Sequence, residues 1–256
     1  KSSHRVAFDA LAQAEGGLIY ATKSKGQNPT KIGNPCVDLG AAAFGVIEIL
    51  GALLMKKGIF IEIPLLDIVV YWNSYWYPYI DIFGEEPPNI SDSHPGFCPY
   101  GVYRTQDGFI FIGVISDSHW KNLECKLDLK SENDLSRMKQ RVALREQVDF
   151  ILEKATSRMT KAELLELLSD DTPCASINTL RDIHSDQELM QRGVMKFVKV
   201  GEKNVKIALP PLTMRQTQEK DLVDLPTRGF HTDSILEDLD YTFEDINLLR
   251  KKGVVR

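Results

Sequence analysis

Asp38 is the residue whose type and position most favour chemistry. It precedes a run of small residues from Gly40 to Gly45, and this run predicts a helix over residues 41–56 whose first turn is almost bare of side chains. The carboxylate could be the N-cap of that helix, a contact that contributes about 1 kcal/mol to helix stability. It could instead be an exposed nucleophile, kept ionised by the helix dipole, with space beside it for an acyl group. The spacing alone favours the cap, although the small residues would also let a second helix or a ligand approach closely.

Other catalytic signatures have little support in this chain. It contains no dinucleotide-binding glycine motif after a strand, no P-loop and no nucleophile elbow. The segment His231-Thr232-Asp233-Ser234 has the residue types of a hydrolase triad, but sequence neighbours rarely meet in that geometry, and Thr232 suits a helix cap. The cysteines and histidines lack metal-ligand spacing, so we expect no metal site and reduced thiols typical of a cytoplasmic protein. The cysteines are Cys36, Cys98, Cys125 and Cys174.

The composition is that of an ordinary globular protein. Of the 256 residues, 43% are hydrophobic and 26% charged, which argues against disordered, collagen-like and disulfide-scaffold classes. The length exceeds the roughly 100–200 residues of a usual domain, so we expect one large or two intertwined domains. With 31 basic and 36 acidic residues the net charge is -5, which argues against a nucleic-acid partner. The aromatic cluster at 71–79 is therefore predicted to form a core or subunit contact.

Hydrophobic periodicity and turn residues predict a mixed α/β chain. Asp107-Gly108 predicts a hairpin because this dipeptide accepts positive φ, and Thr160-x-x-Glu163 predicts a capping box. The predicted helices cover residues 8–20, 41–56, 65–76, 118–127, 136–158, 161–169, 179–193, 232–239 and 243–252. The predicted strands cover residues 59–63, 101–105, 109–115, 174–178, 195–200 and 204–208. The proline-rich composition of residues 77–99 predicts an ordered linker. The charge pattern of residues 136–158 predicts that their basic side chains form a solvated helical face.

The longest apolar run bears on membrane association. It covers residues 39–55, seventeen in all, with Glu48 inside it. A spanning helix needs about 20 apolar residues, so the run predicts a buried helix. The first residues also lack a signal-peptide core. We therefore expect a soluble protein with no membrane partner.

A series of short motifs follows the order seen in a known family. They include FDALAQAEGG at 8–17, NPCVD at 34–38, His94-Pro95, Pro99-Tyr100-Gly101, TxDG at 105–108, SDxxW at 116–120, Pro173-Cys174-Ala175, Arg192-Gly193, GxHT at 229–232 and LLxxxGVV at 248–255. Together they resemble the class III coenzyme A transferase family, which also includes the α-methylacyl-CoA racemases. The resemblance covers nearly the whole chain.

The resemblance implies an architecture and a set of domain limits. It implies a Rossmann-like large α/β domain and a small α+β domain, with two chains interlocked as a homodimer. Residues 1–76 would belong to the large CoA-binding domain, 77–94 to a linker, 95–182 to the small domain, and 183–256 to a segment that returns to the large domain. The family's N-terminal half-domain would precede Lys1. In the segment 55–59, the family would have a few additional residues between the basic pair at 56–57 and Gly58.

The resemblance implies a role for Asp38, which falls on the position of the family's nucleophilic aspartate. In the transferases that carboxylate attacks an acyl-CoA thioester and forms a mixed anhydride and then an aspartyl-CoA thioester, before a carboxylic acid accepts CoA. The glycine-rich helix start would be one source of N–H donors for the oxyanions. Coenzyme A would thus be a substrate, with no prosthetic group. The segment Val6, Ala7, Phe8 and Asp9 falls where the family contacts the CoA thiol arm.

Two alternatives to the transferase stay open. In the racemases the same aspartate works with a histidine that moves the α-proton, but Phe8 stands at that position here and cannot accept a proton. The other alternative is a homologue that binds CoA esters without catalysis. The segment His94-Pro95-Gly96-Phe97 stands where the formyl/oxalate members have a glycine run, which argues against a formyl/oxalate pairing.

Overall fold

Glycine and proline residues set the limits of the N-terminal helices. In the computed structural model, which describes residues 6–24, 26–87, 93–211 and 226–256, these helices are α1 (Asp9–Glu15), α2 (Leu18–Ala21), α3 (Cys36–Met55), α4 (Leu65–Trp72) and α5 (Tyr77–Phe83). Gly17, with φ of 83°, separates α1 from α2, and Pro64 precedes α4. A short 3-10 helix, Asn73–Tyr75, links α4 to α5. The helix predicted within 8–20, ending in a glycine turn, is therefore α1, and the residues after Gly16-Gly17 form the separate helix α2.

One sequence prediction for this region is wrong, and another is incomplete. Residues 59–63 are irregular rather than a strand, because residues 6–24 and 26–87 contain no second strand that could complete a ladder with them. The predicted linker contains α5, whose Pro78 lies in the first turn of the helix, where the missing N–H of proline costs nothing. The Rossmann-like domain implied by the resemblance stays a prediction, as do the domain limits.

Helix α3 also differs from the buried helix that was predicted. It has 20 residues rather than the predicted 16, since it begins directly after Pro35. Only Val37 and Gly40 are buried. By length and composition α3 is the one helix within the described ranges that could cross a membrane, a test that core helices of soluble proteins also pass.

A three-stranded antiparallel sheet follows the helices. The strands β1 (Tyr100–Thr105), β2 (Gly108–Gly113) and β3 (Cys174–Ser176) lie in the order β1-β2-β3. Thr105 pairs with Gly108 across a two-residue turn that contains Asp107, which confirms the predicted hairpin. The helices that follow β2 are α6 (Asp117–Lys126), α7 (Met138–Ala143), α8 (Arg145–Thr156) and α9 (Lys161–Leu168). Their apolar sides and the sheet form one core that includes Ile110, Trp120, Leu152 and Leu164.

The helix predicted over 136–158 is two helices, and its basic face is not wholly solvated. The chain bends at Leu144, and Arg141 is fully buried. Its guanidinium donates to the carbonyl oxygens of Cys98, Leu135 and Ser136 at 2.8–3.0 Å. It also pairs with Asp117 at 3.0 Å and thereby lowers the pKa of that carboxyl. Arg141 can be buried because each of its three guanidinium nitrogens donates to an acceptor.

The chain divides into two compact units, and the second begins at Asn178. This unit contains α10 (Leu180–Ser185), α11 (Gln187–Gln191), the hairpin strands β4 (Met195–Val200) and β5 (Lys203–Ala208), α12 (Thr232–Glu237) and α13 (Phe243–Lys251). The helix predicted over 179–193 is split at Asp186, whose ψ of 118° leaves the helical range and whose carboxylate caps α11. The strands predicted over 195–200 and 204–208 are confirmed and pair as a hairpin, and Thr242 and Asp245 form a capping box at the start of α13.

Candidate functional site

Asp38 lies in the first turn of α3, but it does not cap the helix. The N-cap position is Pro35, so Asp38 is the third residue of the helix and its side chain is exposed. Its carboxylate accepts no hydrogen bond from any residue in the described ranges. The interpretation of Asp38 as a helix cap is therefore wrong. Its side chain is open to an incoming ligand.

The carboxylate that caps α3 comes from α1. One oxygen of Asp9, Oδ2, accepts the backbone N–H of Val37 at 2.8 Å and that of Asp38 at 3.3 Å. Carboxylates stabilise helix N-termini because they neutralise both the unpaired N–H groups and the positive end of the dipole. Asp9 therefore fixes the position of the backbone at Asp38.

A buried glutamine holds Asp9 in turn. The amide nitrogen of Gln13 donates to Asp9 Oδ1 at 2.6 Å, and the Gln13 amide oxygen accepts the Ile32 N–H at 3.0 Å. Gln13 has no exposed surface. Because both ends of its amide are used, the side chain fixes the distance between α1 and the loop that leads into α3.

The first turn of α3 has few N–H groups left for a ligand. Cys36 N–H donates to the Asn34 carbonyl at 2.8 Å, and Leu39 N–H to the Pro35 carbonyl at 3.1 Å. Asp9 takes the two N–H groups between them. The helix start is therefore a poor source of oxyanion donors, contrary to what the glycine-rich sequence indicated.

Gly40 provides room for a helix rather than for a ligand. A Cβ atom built on Gly40 would lie 2.4 Å from a ring carbon of Trp72 and 2.9 Å from Ile68 Cγ2. Only glycine allows α4 to pack so closely against α3 at this point. By contrast, a Cβ on Gly45 would meet no atom within 4 Å. Of the two uses that the small residues allow, the close approach of a second helix therefore explains Gly40.

Of the four residues predicted to contact CoA, Asp9 reaches the first turn of α3. Asp9 touches the Asp38 backbone, and the three preceding residues, Val6, Ala7 and Phe8, are exposed. Phe8 occupies the N-cap position of α1 in an extended conformation, with 54% of its surface exposed. Asp9 differs from its neighbours, because its carboxylate is already used inside the protein. The CoA contacts themselves stay predictions.

The thiol of Cys36, two residues before Asp38, is not a competing nucleophile. Burial raises its pKa, and the negative charge of Asp9 raises it further. The thiol is therefore largely protonated at neutral pH, and only the thiolate attacks acyl groups efficiently. Of these two side chains, the exposed carboxylate is the better candidate for a nucleophile.

The remaining candidates do not form sites. Asp233 of the triad-like segment pairs with Arg250, and Ser234 donates to the His231 carbonyl oxygen. Within the ranges that the structure describes, no three His, Cys, Asp or Glu side chains come together as metal ligands would. Sequence reasoning missed Gln13 and Trp72 as supports of the site, because the contacts of Gln13 with Ile32 and of Trp72 with Gly40 join residues that are 19 and 32 positions apart.

Three curated relatives and one solved structure are similar to this chain. It is 27% identical to succinyl-CoA:mesaconate CoA-transferase of Haloarcula hispanica over 90% of its length, and 28% identical to human succinyl-CoA:glutarate CoA-transferase over 99%. Human α-methylacyl-CoA racemase is 24% identical over 99% of the chain. The chain spans 60% of the length of the two transferases and 66% of that of the racemase.

The solved structure is a CaiB/BaiF family protein from Brucella suis, with 25% identity and a TM-score of 0.76. The match covers 93% of this chain and 64% of the Brucella chain. A family model described as CoA-transferase family III matches residues 1–232. The chain therefore belongs to CoA-transferase family III.

Proposed function

We propose that the protein is an acyl-CoA:carboxylate CoA-transferase in which Asp38 is the nucleophile. The observation that carries this proposal is an exposed carboxylate with no hydrogen-bond partner among the described residues, on a helix turn whose backbone Asp9 holds at two N–H groups. A carboxylate that must form and break a covalent bond needs a free oxygen and a fixed position. Asp38 combines both.

The reaction follows from this carboxylate. An Asp38 oxygen attacks the thioester carbonyl of the donor, the C–S bond breaks, and a mixed anhydride and CoA thiolate form. The thiolate attacks the aspartyl carbonyl, which releases the donor acid and leaves an aspartyl-CoA thioester. The acceptor carboxylate attacks that thioester and expels the thiolate, which then takes the acceptor acyl group and restores Asp38. Each step exchanges one acyl bond for another and needs no cofactor to balance it.

The substrates follow from the names of the relatives. Succinyl-CoA is the donor that we propose, and a dicarboxylic acid is the acceptor, since two similar enzymes are named for succinyl-CoA with mesaconate or glutarate. We further propose that the enzyme works in the cytoplasm as an interlocked homodimer. Light scattering of the purified protein at its natural length tests the dimer, which a monomeric mass would contradict.

A racemase is the second candidate, and Phe8 argues against it. Proton transfer at the α-carbon needs a base on each side of the substrate. Phe8 stands where the resemblance places one of the two, and its ring has no proton acceptor. Deuterium that enters the acyl α-carbon from heavy water, without CoA exchange, would favour the racemase. A protein that binds acyl-CoA but catalyses neither reaction would be the non-catalytic homologue.

The experiment that tests the proposal compares two matched aspartates. Asp38→Asn and Asp67→Asn each neutralise an exposed Asp at the third position of a helix, in α3 and α4 respectively. With succinyl-CoA and a panel of dicarboxylates, Asp38→Asn is expected to lower kcat by roughly 1,000-fold or more, because the nucleophile is lost. Asp67→Asn should leave kcat within about twofold. Equal, small effects of the two substitutions would refute the role of Asp38.

A further inference from the structure

A groove among the helices that follow β2 is separate from the Asp38 site. It is a cavity of about 590 Å³ between the end of α6, the end of α8 and α9, and we name it the α8 groove. Its described lining residues all fall between 126 and 167, whereas the supports of Asp38 lie between 9 and 72. Cavities of roughly 300–1,000 Å³ hold small molecules in proteins. The α8 groove therefore has the size of a ligand site.

The floor of the α8 groove is apolar. Its lining includes four half-buried side chains that pack on the core beneath them: Leu127, Ile151, Met159 and Leu167. Phe150 lines the groove as well and is 70% exposed. A contiguous apolar surface with a polar rim marks a binding site, whereas scattered apolar side chains do not. Because most of these side chains are unbranched or aliphatic and adapt their shape, they fit an alkyl chain better than a rigid planar ring.

The rim of the α8 groove is basic, and two of its cations have no acidic partner among the described residues. Lys126 and Lys130 line the groove, and each pairs with an aspartate. Lys154 and Arg158 also line it and are exposed, but no carboxylate within the described ranges pairs with either. Like charges about one helical turn apart repel each other. An anion between these two side chains would remove the repulsion and accept a charge-assisted hydrogen bond from each.

The two unpaired cations are not needed to complete the end of α8. Basic side chains near a helix C-terminus often hydrogen-bond the last carbonyl groups. Here the carbonyl oxygens of residues 153–156 already accept hydrogen bonds from the N–H and hydroxyl groups of Ser157 and from the N–H groups of Arg158 and Met159. The side chains of Lys154 and Arg158 are therefore available to an anion.

We propose that the α8 groove binds a medium-chain or long-chain alkyl carboxylic acid non-covalently. The carboxylate lies between Lys154 and Arg158, and the alkyl chain lies along the apolar floor. The planar guanidinium of Arg158 matches both oxygens of a carboxylate, and the ammonium of Lys154 supplies a further donor. The small volume favours this ligand over a protein partner, because a stable protein interface needs about 800 Å² on each side. The inference does not depend on any reaction of Asp38.

Isothermal titration calorimetry with decanoate, on the purified protein at its natural length, tests the proposal. We expect a site whose dissociation constant rises at least about tenfold in Lys154→Gln and in Arg158→Gln, because each variant loses a charge-assisted hydrogen bond. Both side chains are exposed, so both variants should keep the circular dichroism spectrum and the unfolding midpoint of the wild type. The control is Lys139→Gln, which changes an exposed lysine of α7 outside the groove. Its affinity for decanoate should stay within about twofold of the wild type.

Two further ligands test the two parts of the groove. Hexanoate should bind at least about tenfold more weakly than decanoate, because it lacks four CH₂ groups that would cover the floor. Decyltrimethylammonium has the same chain with a positive head group and should not bind. The proposal would be overturned by a titration without binding, by equal affinity of the wild type and the two groove variants for decanoate, or by equal affinity for all three ligands. None of these measurements uses CoA transfer, so their outcome is independent of the proposed activity.

Discussion

Two glycines in α3 allow a direct test of how the helix that carries Asp38 is held. Alanine in place of glycine inside a helix normally stabilises it by about 1 kcal/mol. At Gly45 a Cβ atom meets nothing within 4 Å, so Gly45→Ala should give a stabilisation of about 0.5–1 kcal/mol. At Gly40 the same Cβ lies 2.4 and 2.8 Å from two Trp72 ring carbons and 2.9 Å from Ile68 Cγ2. Van der Waals contacts of carbon lie near 3.5–4.0 Å, so the neighbours must move by about 1 Å.

Overpacking of this size costs about 1–3 kcal/mol. Because the gain in helix propensity is similar for both variants, it cancels when they are compared. Gly40→Ala should therefore be less stable than Gly45→Ala by about 1–3 kcal/mol. Urea unfolding followed by circular dichroism measures this difference, provided that the two variants share one m-value. Two variants of equal stability would refute the packing of Trp72 on Gly40, and with it the position assigned to the first turns of α3.

The remaining predictions concern the cap, the buried arginine and acid stability. Asp9→Ala should lower the free energy of unfolding by about 1–2 kcal/mol and reduce turnover. Asp9→Asn keeps one acceptor oxygen, so its midpoint of thermal unfolding should fall by less than that of Asp9→Ala. Arg141→Ala should lower the free energy of unfolding, measured in urea, by about 3 kcal/mol, because each of three carbonyl groups loses a donor at roughly 1 kcal/mol. A variant as stable as the wild type would contradict the burial of Arg141. The Ser136 N–H, helped by the side chains of Ser136 and Gln140, lowers the pKa of Asp134 to about 2. A lowered pKa stabilises the fold above the usual value near 3.8, and the contribution is lost as the pH falls towards 2. Asp134→Asn should therefore be less stable than the wild type at pH 5 and equally stable near pH 2, and a constant difference would disprove the shift.

Local features of the fold could be predicted from the sequence. The capping boxes that begin at Thr160 and Thr242 and the hairpin at Asp107-Gly108 each involve residues within four positions of one another. Such patterns are decided by neighbouring backbone groups, so a single sequence contains the whole cause. The prediction of a strand over 59–63 was wrong for the opposite reason. Alternating apolar and polar residues form a strand only when a partner strand supplies the backbone hydrogen bonds.

The support of the candidate site depended on contacts that the sequence does not reveal. Position and residue type identified Asp38, but the contact between Asp9 and the Asp38 backbone spans 29 residues. Gly40 and Trp72 are similarly distant, and their fit depends on how closely α3 and α4 approach. The sequence therefore predicted a carboxylate with small neighbours and left open whether the space belonged to a ligand or a helix.

Asp38 is proposed to bind covalently first to the acyl group and then to CoA, and mass spectrometry tests this most directly. The protein at its natural length is mixed with succinyl-CoA without an acceptor acid, quenched in acid and digested. We expect a mass increase equal to CoA or to the succinyl group, confined to the peptide that contains Asp38, which hydroxylamine removes and Asp38→Asn abolishes. An adduct on any other peptide, or turnover by Asp38→Asn at the wild-type rate, would contradict the account.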